Sequence, residues 1–275
     1  NLSLNLALKK SDEILFVYIH DISNDKYSRW GFKKMGEHRK LFLSQGLKEL
    51  NKNLGEYAHS LSIYIDDPVI ILKKLVTKFK IDTIFCESIE AFDEKNQIEL
   101  LGNDKINVVT YFQSSLFKKS QLPFDMKDLP DVFTDFRKII EHKNIKPTQS
   151  TSLPKKIFKI KSIKDSKFVE LGANFNDYSK SSFPIMDENF MGGEKSATLY
   201  LKKYFESKKV ESYKHTRNEL TGIDFSTKFS PWLSLGYISA RQVFFSLNEY
   251  ENKHIKNEST YWVFFELLWR DYFRF

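Results

Sequence analysis

A single cysteine, Cys86, excludes an intramolecular disulfide and any metal site built from several thiolates. It also fits a reducing compartment. No apolar run reaches the length that spans a bilayer, and the first residues lack the charged-then-apolar pattern of a secretory leader. The chain therefore reads as soluble and cytoplasmic. Common catalytic signatures are missing too. There is no G-x-S-x-G, no Walker loop, no G-x-G-x-x-G and no H-E-x-x-H. The six histidines are scattered, so no metal site is expected.

What the chain does hold is length, aromatic mass and an uneven charge. Its 275 residues are long for one domain, so two are expected. Twenty-five Phe, 13 Tyr and 4 Trp must bury large flat surfaces somewhere. The net charge of +7 lies mostly in residues 114–170, which carry 13 basic and 7 acidic side chains. Lys155, Lys156, Lys159, Lys161, Lys164 and Lys167 make up much of it. Such a run reads as a solvated linker, and alone it supports nucleic-acid binding only weakly.

Hydrophobic periodicity divides the chain. Residues 14–19, 61–65, 81–86 and 106–112 read as buried strands. Between them, Leu43, Leu47, Leu50 and Leu54 recur on one helical face, and Asp67-Pro68 opens a second helix with Ile71, Leu72, Leu75, Val76 and Phe79 inward. Residues 91–102 read as a third. Strands alternating with helices imply a parallel sheet in an α/β domain, residues 1–113. Residues 1–8 read as a helix with no strand before it. Pro123, Pro130, Pro147, Pro154 and Pro184 punctuate residues 114–187, a connector with one clear helix over 131–143. From residue 188 onward the pattern is all helical: 194–205, 237–250 and 259–273. The ragged ends of both patterns lead us to expect further residues before Asn1 and after Phe275.

Four groups of residues could carry chemistry. The first is Ser226-Thr227-Lys228-Phe229-Ser230, followed by Pro231. Ser230 before Pro231 reads as a helix N-cap. The turn suits either an ordinary capped helix or a phosphate bound by hydroxyls and helix N–H groups. The second is Tyr213 with Arg217, one helical turn apart. The third is Glu266, Trp269 and Arg270 in a strongly apolar helix, where polar groups need partners. A structural ion pair or a functional site both satisfy that need. The fourth is the acidic turn Glu87, Glu90, Asp93 and Glu94 after the third strand. It is either a solvated face or a site at the carboxyl ends of a parallel sheet.

Several stretches resemble the photolyase/cryptochrome family, and within it the DASH-type cryptochromes. They are 129–137 (LPDVFTDFR), Gly192-Gly193-Glu194, 213–218 (YKHTRN), 226–236 (STKFSPWLSLG) and 259–262 (STYW) through Phe275. The α/β half is similar in order and spacing. The resemblance implies a Rossmann-like antenna domain followed by an all-α FAD-binding domain, here incomplete. The family's first strand should precede Asn1 and the rest of the flavin domain should follow Phe275, so these 275 residues alone are expected not to retain FAD.

Site roles follow from the same resemblance. Tyr213 would contact the flavin nucleotide. Ser226, Thr227, Lys228, Phe229 and Ser230 would wrap its diphosphate and ribityl chain, and Arg270 would line the pocket. Glu266 would hydrogen-bond the base edge of a thymine dimer and Trp269 would stack on the flipped lesion. Arg217 would lie near DNA phosphate. Glu94, with Asp93 as the next candidate, would contact a 5,10-methenyltetrahydrofolate antenna. The implied activity is that of a deoxyribodipyrimidine photo-lyase, a carbon–carbon lyase that splits cyclobutane pyrimidine dimers under blue light. Its partner would be DNA, preferentially single-stranded, with no membrane, and the protein would be a monomer. A signalling blue-light photoreceptor without repair activity is the alternative.

Overall fold

The computed structural model describes residues 1–165, 167–172, 183–219 and 222–275. Its contacts divide the chain into two units. One is Asn1–Gln113 with Thr151–Tyr178, and the other is Ser114–Ser150 with Ser179–Phe275. The connector reading of 114–187 thus divides between the two, and its residues 166 and 173–182 lie outside the described residues.

The first unit is built from strand–helix alternation. Helix α1 (Leu2–Lys10) is capped by the Asn1 side chain, which accepts the Leu4 N–H at 2.9 Å. Strands β1 (Glu13–Ile14) and β2 (Phe16–Asp21) divide the run read as one strand. Then come α2 (Glu37–Gly55), β3 (Leu61–Asp66), α3 (Pro68–Phe79), β4 (Ile84–Glu87), α4 (Phe92–Asn103), β5 (Val108–Tyr111) and β6 (Lys161–Ser162). Among the described residues the strands form three parallel pairs: β1 with β6, β2 with β3, and β4 with β5. Helices α2 and α4 make the crossovers that parallel neighbours require. Asp67 caps α3 by accepting the N–H groups of Val69 and Ile70, and Pro68 costs nothing in the first turn, where its N–H would lack a partner anyway. Tyr64, Ile71 and Leu75 are buried against Val17, Ile19 and Phe79. On α2, Leu43, Leu47 and Leu54 are buried as their spacing predicts, but Leu50 stays 45 % exposed.

Beyond β6, which pairs with β1, Asp165 and Lys167 of this unit bond to the edge of β3. The Ile63 N–H donates to the Lys167 carbonyl at 2.7 Å and the Ser62 hydroxyl to the Asp165 carbonyl at 2.6 Å. The Asp165 carboxylate accepts from the Tyr64 hydroxyl and pairs with Lys78 at 2.9 Å, while the Lys167 ammonium lies over the Tyr64 ring. The basic run therefore has structural partners. Lys156 also donates to the Ser11 carbonyl just past α1, at 2.9 Å.

The second unit is helical: α5 (Phe133–His142), α6 (Glu194–Glu206), α7 (Tyr213–Thr216), α8 (Ser230–Ser234), α9 (Ala240–Lys253) and α10 (Glu258–Tyr272). Helix α9 starts three residues later than its periodicity predicts. Ser239 and Gln242 form a capping box there, and the cap fixes the first turn. Asn257 and Thr260 do the same for α10. At α8 the sequence reading needs correction. Ser230 is already helical and its hydroxyl caps nothing; Phe229 stands at the cap position without a side-chain bond. The core holds Trp232, fully buried, with its indole N–H on the Met191 carbonyl at 2.9 Å and with Phe183, Phe190 and Tyr200 around it. A second aromatic cluster joins Phe133 and Phe136 of α5 to Trp269 and Tyr272 of α10.

Candidate functional site

Helix α10 brings the polar residues of the helical unit together. Glu258 to Tyr272 runs over four turns, with Val263, Leu267 and Leu268 in the core. Glu266 and Arg270, a turn apart, leave that core edge and meet other elements. Helix α7 lies against α10, pinned where the Lys214 N–H donates to the Ser259 hydroxyl at 3.1 Å. That contact puts Arg217 beside Glu266, with Nη2 2.5 Å from Oε1. Tyr213 is buried next to both. Desolvation first, and then the Glu266 charge, push its phenol up to about 12 against the opposing Arg217, so it stays protonated. The Arg217 guanidinium also sits 5.3 Å from the ring centre of Trp262, a cation–π distance.

The stretch leading into α8 has the opposite character: its polar side chains find no partner among the described residues. The side chains of Ser226, Thr227, Lys228 and Ser230 make no hydrogen bond or ion pair with any described residue. Lys228 adopts the left-handed backbone conformation, φ 55. Phe229 anchors the loop, buried against Tyr200 and Tyr204. A loop with a buried anchor and three hydroxyls that have no partner among the described residues, beside a lysine, fits an anionic group such as a diphosphate.

Arg270 ties α8 to α10. It donates to the Leu233 carbonyl of α8 at 3.3 Å and to the Ser114 carbonyl at 2.7 Å. Trp269, one residue back, lies flat on Phe133, with ring centroids 3.6 Å apart and planes 16° apart. Phe273 stacks on it more loosely, at 5.5 Å. The indole thus has a rigid aromatic support from α5 and a neighbour that is 79 % exposed.

The acidic turn belongs to the α/β unit. Glu94 is partly buried in the first turn of α4. Asp93 pairs with Lys34 at 2.8 Å and Glu90 with Lys95 at 2.6 Å. Gln97, one turn on, reaches Asp21 at the end of β2 at 3.4 Å.

The family model for DNA photolyase matches residues 1–155 of the chain. This chain belongs to the DNA photolyase family. It is 33% identical to the cryptochrome DASH of Idiomarina loihiensis, over 99% of this chain and 59% of that protein. It is 36% identical to the chloroplastic/mitochondrial cryptochrome DASH of Arabidopsis thaliana, over 100% of this chain and 49% of that protein. The solved cryptochrome of Synechocystis superposes with a TM-score of 0.82 at 32% identity, over 100% of this chain and 57% of the other. A class III photolyase of Agrobacterium tumefaciens shares the fold, with a TM-score of 0.70 at 19% identity over 99% of this chain and 55% of the other. The chain spans about half the length of the curated relatives it matches.

Within this photolyase-family chain, one buried charge escapes sequence reasoning. Asp271 has no exposed surface, and its carboxylate accepts the N–H groups of Leu116 at 2.7 Å and Phe117 at 2.9 Å. Arg241 of α9, also buried, donates Nε–H to the Leu116 carbonyl at 3.0 Å. The only trace in the sequence is a carboxylate inside an apolar helix, and its backbone partners lie 155 and 154 residues earlier.

Proposed function

We propose that this chain is the antenna domain and the first part of the FAD-binding domain of a DASH-type light-driven DNA lyase, one that acts on cyclobutane pyrimidine dimers in single-stranded DNA. The observation that carries the reading is the pairing of an uncommitted hydroxyl loop, 226–230, with a carboxylate, an indole and a guanidinium presented by α10 and α7. Ser226, Thr227, Lys228 and Ser230 would hold the FAD diphosphate with Tyr213 alongside, and Arg270 would fix α8 relative to α10. When bound, FAD supplies the light-driven electron that splits the dimer.

The protein's own residues orient the lesion. Glu266 accepts a hydrogen bond from the damaged base edge and Trp269, held flat by Phe133, stacks on it. Flipping a damaged base out of the strand costs less than flipping an intact one, which favours dimers and single strands. Arg217 faces the DNA backbone. Glu94 is the candidate contact for a folate antenna. A monomer in the cytoplasm completes the reading; among the described residues no helix is long and apolar enough to cross a membrane. The relatives' name, cryptochrome, supports a second reading, a blue-light photoreceptor.

One experiment decides. The full-length protein receives a thymine dimer in single-stranded and in duplex DNA, under blue light and in the dark. Light-dependent reversal, stronger on the single strand, is expected. No reversal on either substrate eliminates the lyase and leaves the photoreceptor. Glu266→Ala should lower the repair yield while flavin absorbance is retained.

A further inference from the structure

Glu266 and Arg217 are 49 residues apart in sequence, yet they form a direct pair at 2.5 Å. Their side chains are 33% and 26% exposed, so both are open to solvent. The guanidinium also donates to the neighbouring Asn218 at 3.2 Å, lies 5.3 Å from the Trp262 ring centre and hydrogen-bonds the Tyr213 side chain. A carboxylate and a phosphodiester bind a guanidinium in the same way, through two oxygens on its N–H edge. Glu266 therefore occupies the position on Arg217 that a DNA phosphate would take.

We infer that Glu266 is an intramolecular competitor for Arg217 and, through it, a specificity-determining residue against undamaged DNA. The inference rests on the lyase reading, in which Arg217 faces the DNA backbone. In the free protein the pair is closed and Arg217 offers little net charge. A phosphate that takes Arg217 strands Glu266 beside a polyanion. An undamaged strand, with its bases stacked, gives that carboxylate nothing in return. A flipped dimer does, because its base edge carries N–H donors. Specificity then arises from a charge left unpaired by the wrong ligand, in addition to contacts made by the right one.

The test is dark binding of the full-length, flavin-loaded protein to a fluorescent single-stranded oligonucleotide, undamaged or carrying one thymine dimer, over a series of salt concentrations. E266Q should bind the undamaged strand about threefold to tenfold tighter than wild type. Its log–log salt dependence should steepen by about 0.7, one more phosphate neutralised on a single strand. Its preference for the dimer should fall. The tightening should vanish in the R217A background. An unchanged affinity of E266Q for undamaged DNA overturns the inference, and so does a tightening that persists without Arg217, which is then a net-charge effect. These outcomes leave the lyase reading intact as long as wild type prefers and repairs the dimer. A wild type that neither prefers nor repairs it overturns both.

Discussion

Asp271→Ala should be among the most damaging single substitutions in the helical unit. The carboxylate is fully buried and accepts two backbone N–H groups, from Leu116 and Phe117. Alanine leaves both donors without a partner. Each buried unsatisfied donor costs about 1–3 kcal/mol, so the loss is roughly 2–6 kcal/mol. That is a large share of a typical domain's ~5–15 kcal/mol. The native carboxyl carries its own penalty. Burial raises its pKa from 3.8 to about 6, against the opposing pull of the two N–H groups and of Arg270 and Arg274. Between about pH 4 and 6 the folded protein therefore holds a proton that the unfolded chain has released. The stabilisation from this proton is complete below about pH 4 and is lost as pH rises through 6, with an amplitude of roughly 3 kcal/mol. Urea unfolding followed by circular dichroism at pH 4.5 and 7.5 reads both effects. Asp271→Asn keeps one acceptor oxygen and abolishes the titration, so its stability should lack this downward slope. Two results would refute the reasoning: a loss below about 1 kcal/mol in Asp271→Ala, or identical pH slopes in wild type and Asp271→Asn.

Three further substitutions test other parts of the molecule. Tyr64→Phe removes the hydroxyl that, with Lys78, brings the Asp165 pKa below its ordinary value although burial pushes the other way; it should lower stability by about 1–2 kcal/mol. The stabilisation from Asp165 should be lost as pH falls through its lowered pKa, less so in Tyr64→Phe, and thermal unfolding at neutral and acid pH checks this. Gly222→Ala places a Cβ 2.6 Å from the Phe225 ring at φ +115, a conformation that disfavours side chains. It should reduce flavin retention by the full-length protein, and an unchanged ratio of flavin to protein absorbance counts against a role for the 222–230 turn. Trp269→Ala removes a stacking surface worth about 1–3 kcal/mol per base, so dimer affinity should fall at least about fivefold; unchanged affinity in an anisotropy titration removes lesion stacking from its role.

Local signals account for much of this molecule. The alternation of apolar runs and amphipathic helices over residues 14–112 specifies parallel strands joined by helices, because strand and helix periods differ and each is carried by neighbouring residues. Asp67-Pro68 marks its own helix start for the same reason. The family is legible because its motifs at 213–218, 226–236 and 259–275 are contiguous. Periodicity states which side chains leave the solvent, though, and not what they meet. Packing alone joined Glu266 to Arg217, laid Trp269 flat on Phe133, and gave Asp271 the N–H groups of Leu116 and Phe117. It also set Asp165 and Lys167 against β3. The hydroxyl turn was plain in the sequence as a capped helix or an anion site, and tertiary structure decided only that Ser230 stands inside the helix and caps nothing. A buried charge or donor takes the partner that the assembled core places within about 3 Å, and that distance is set by elements far apart along the chain.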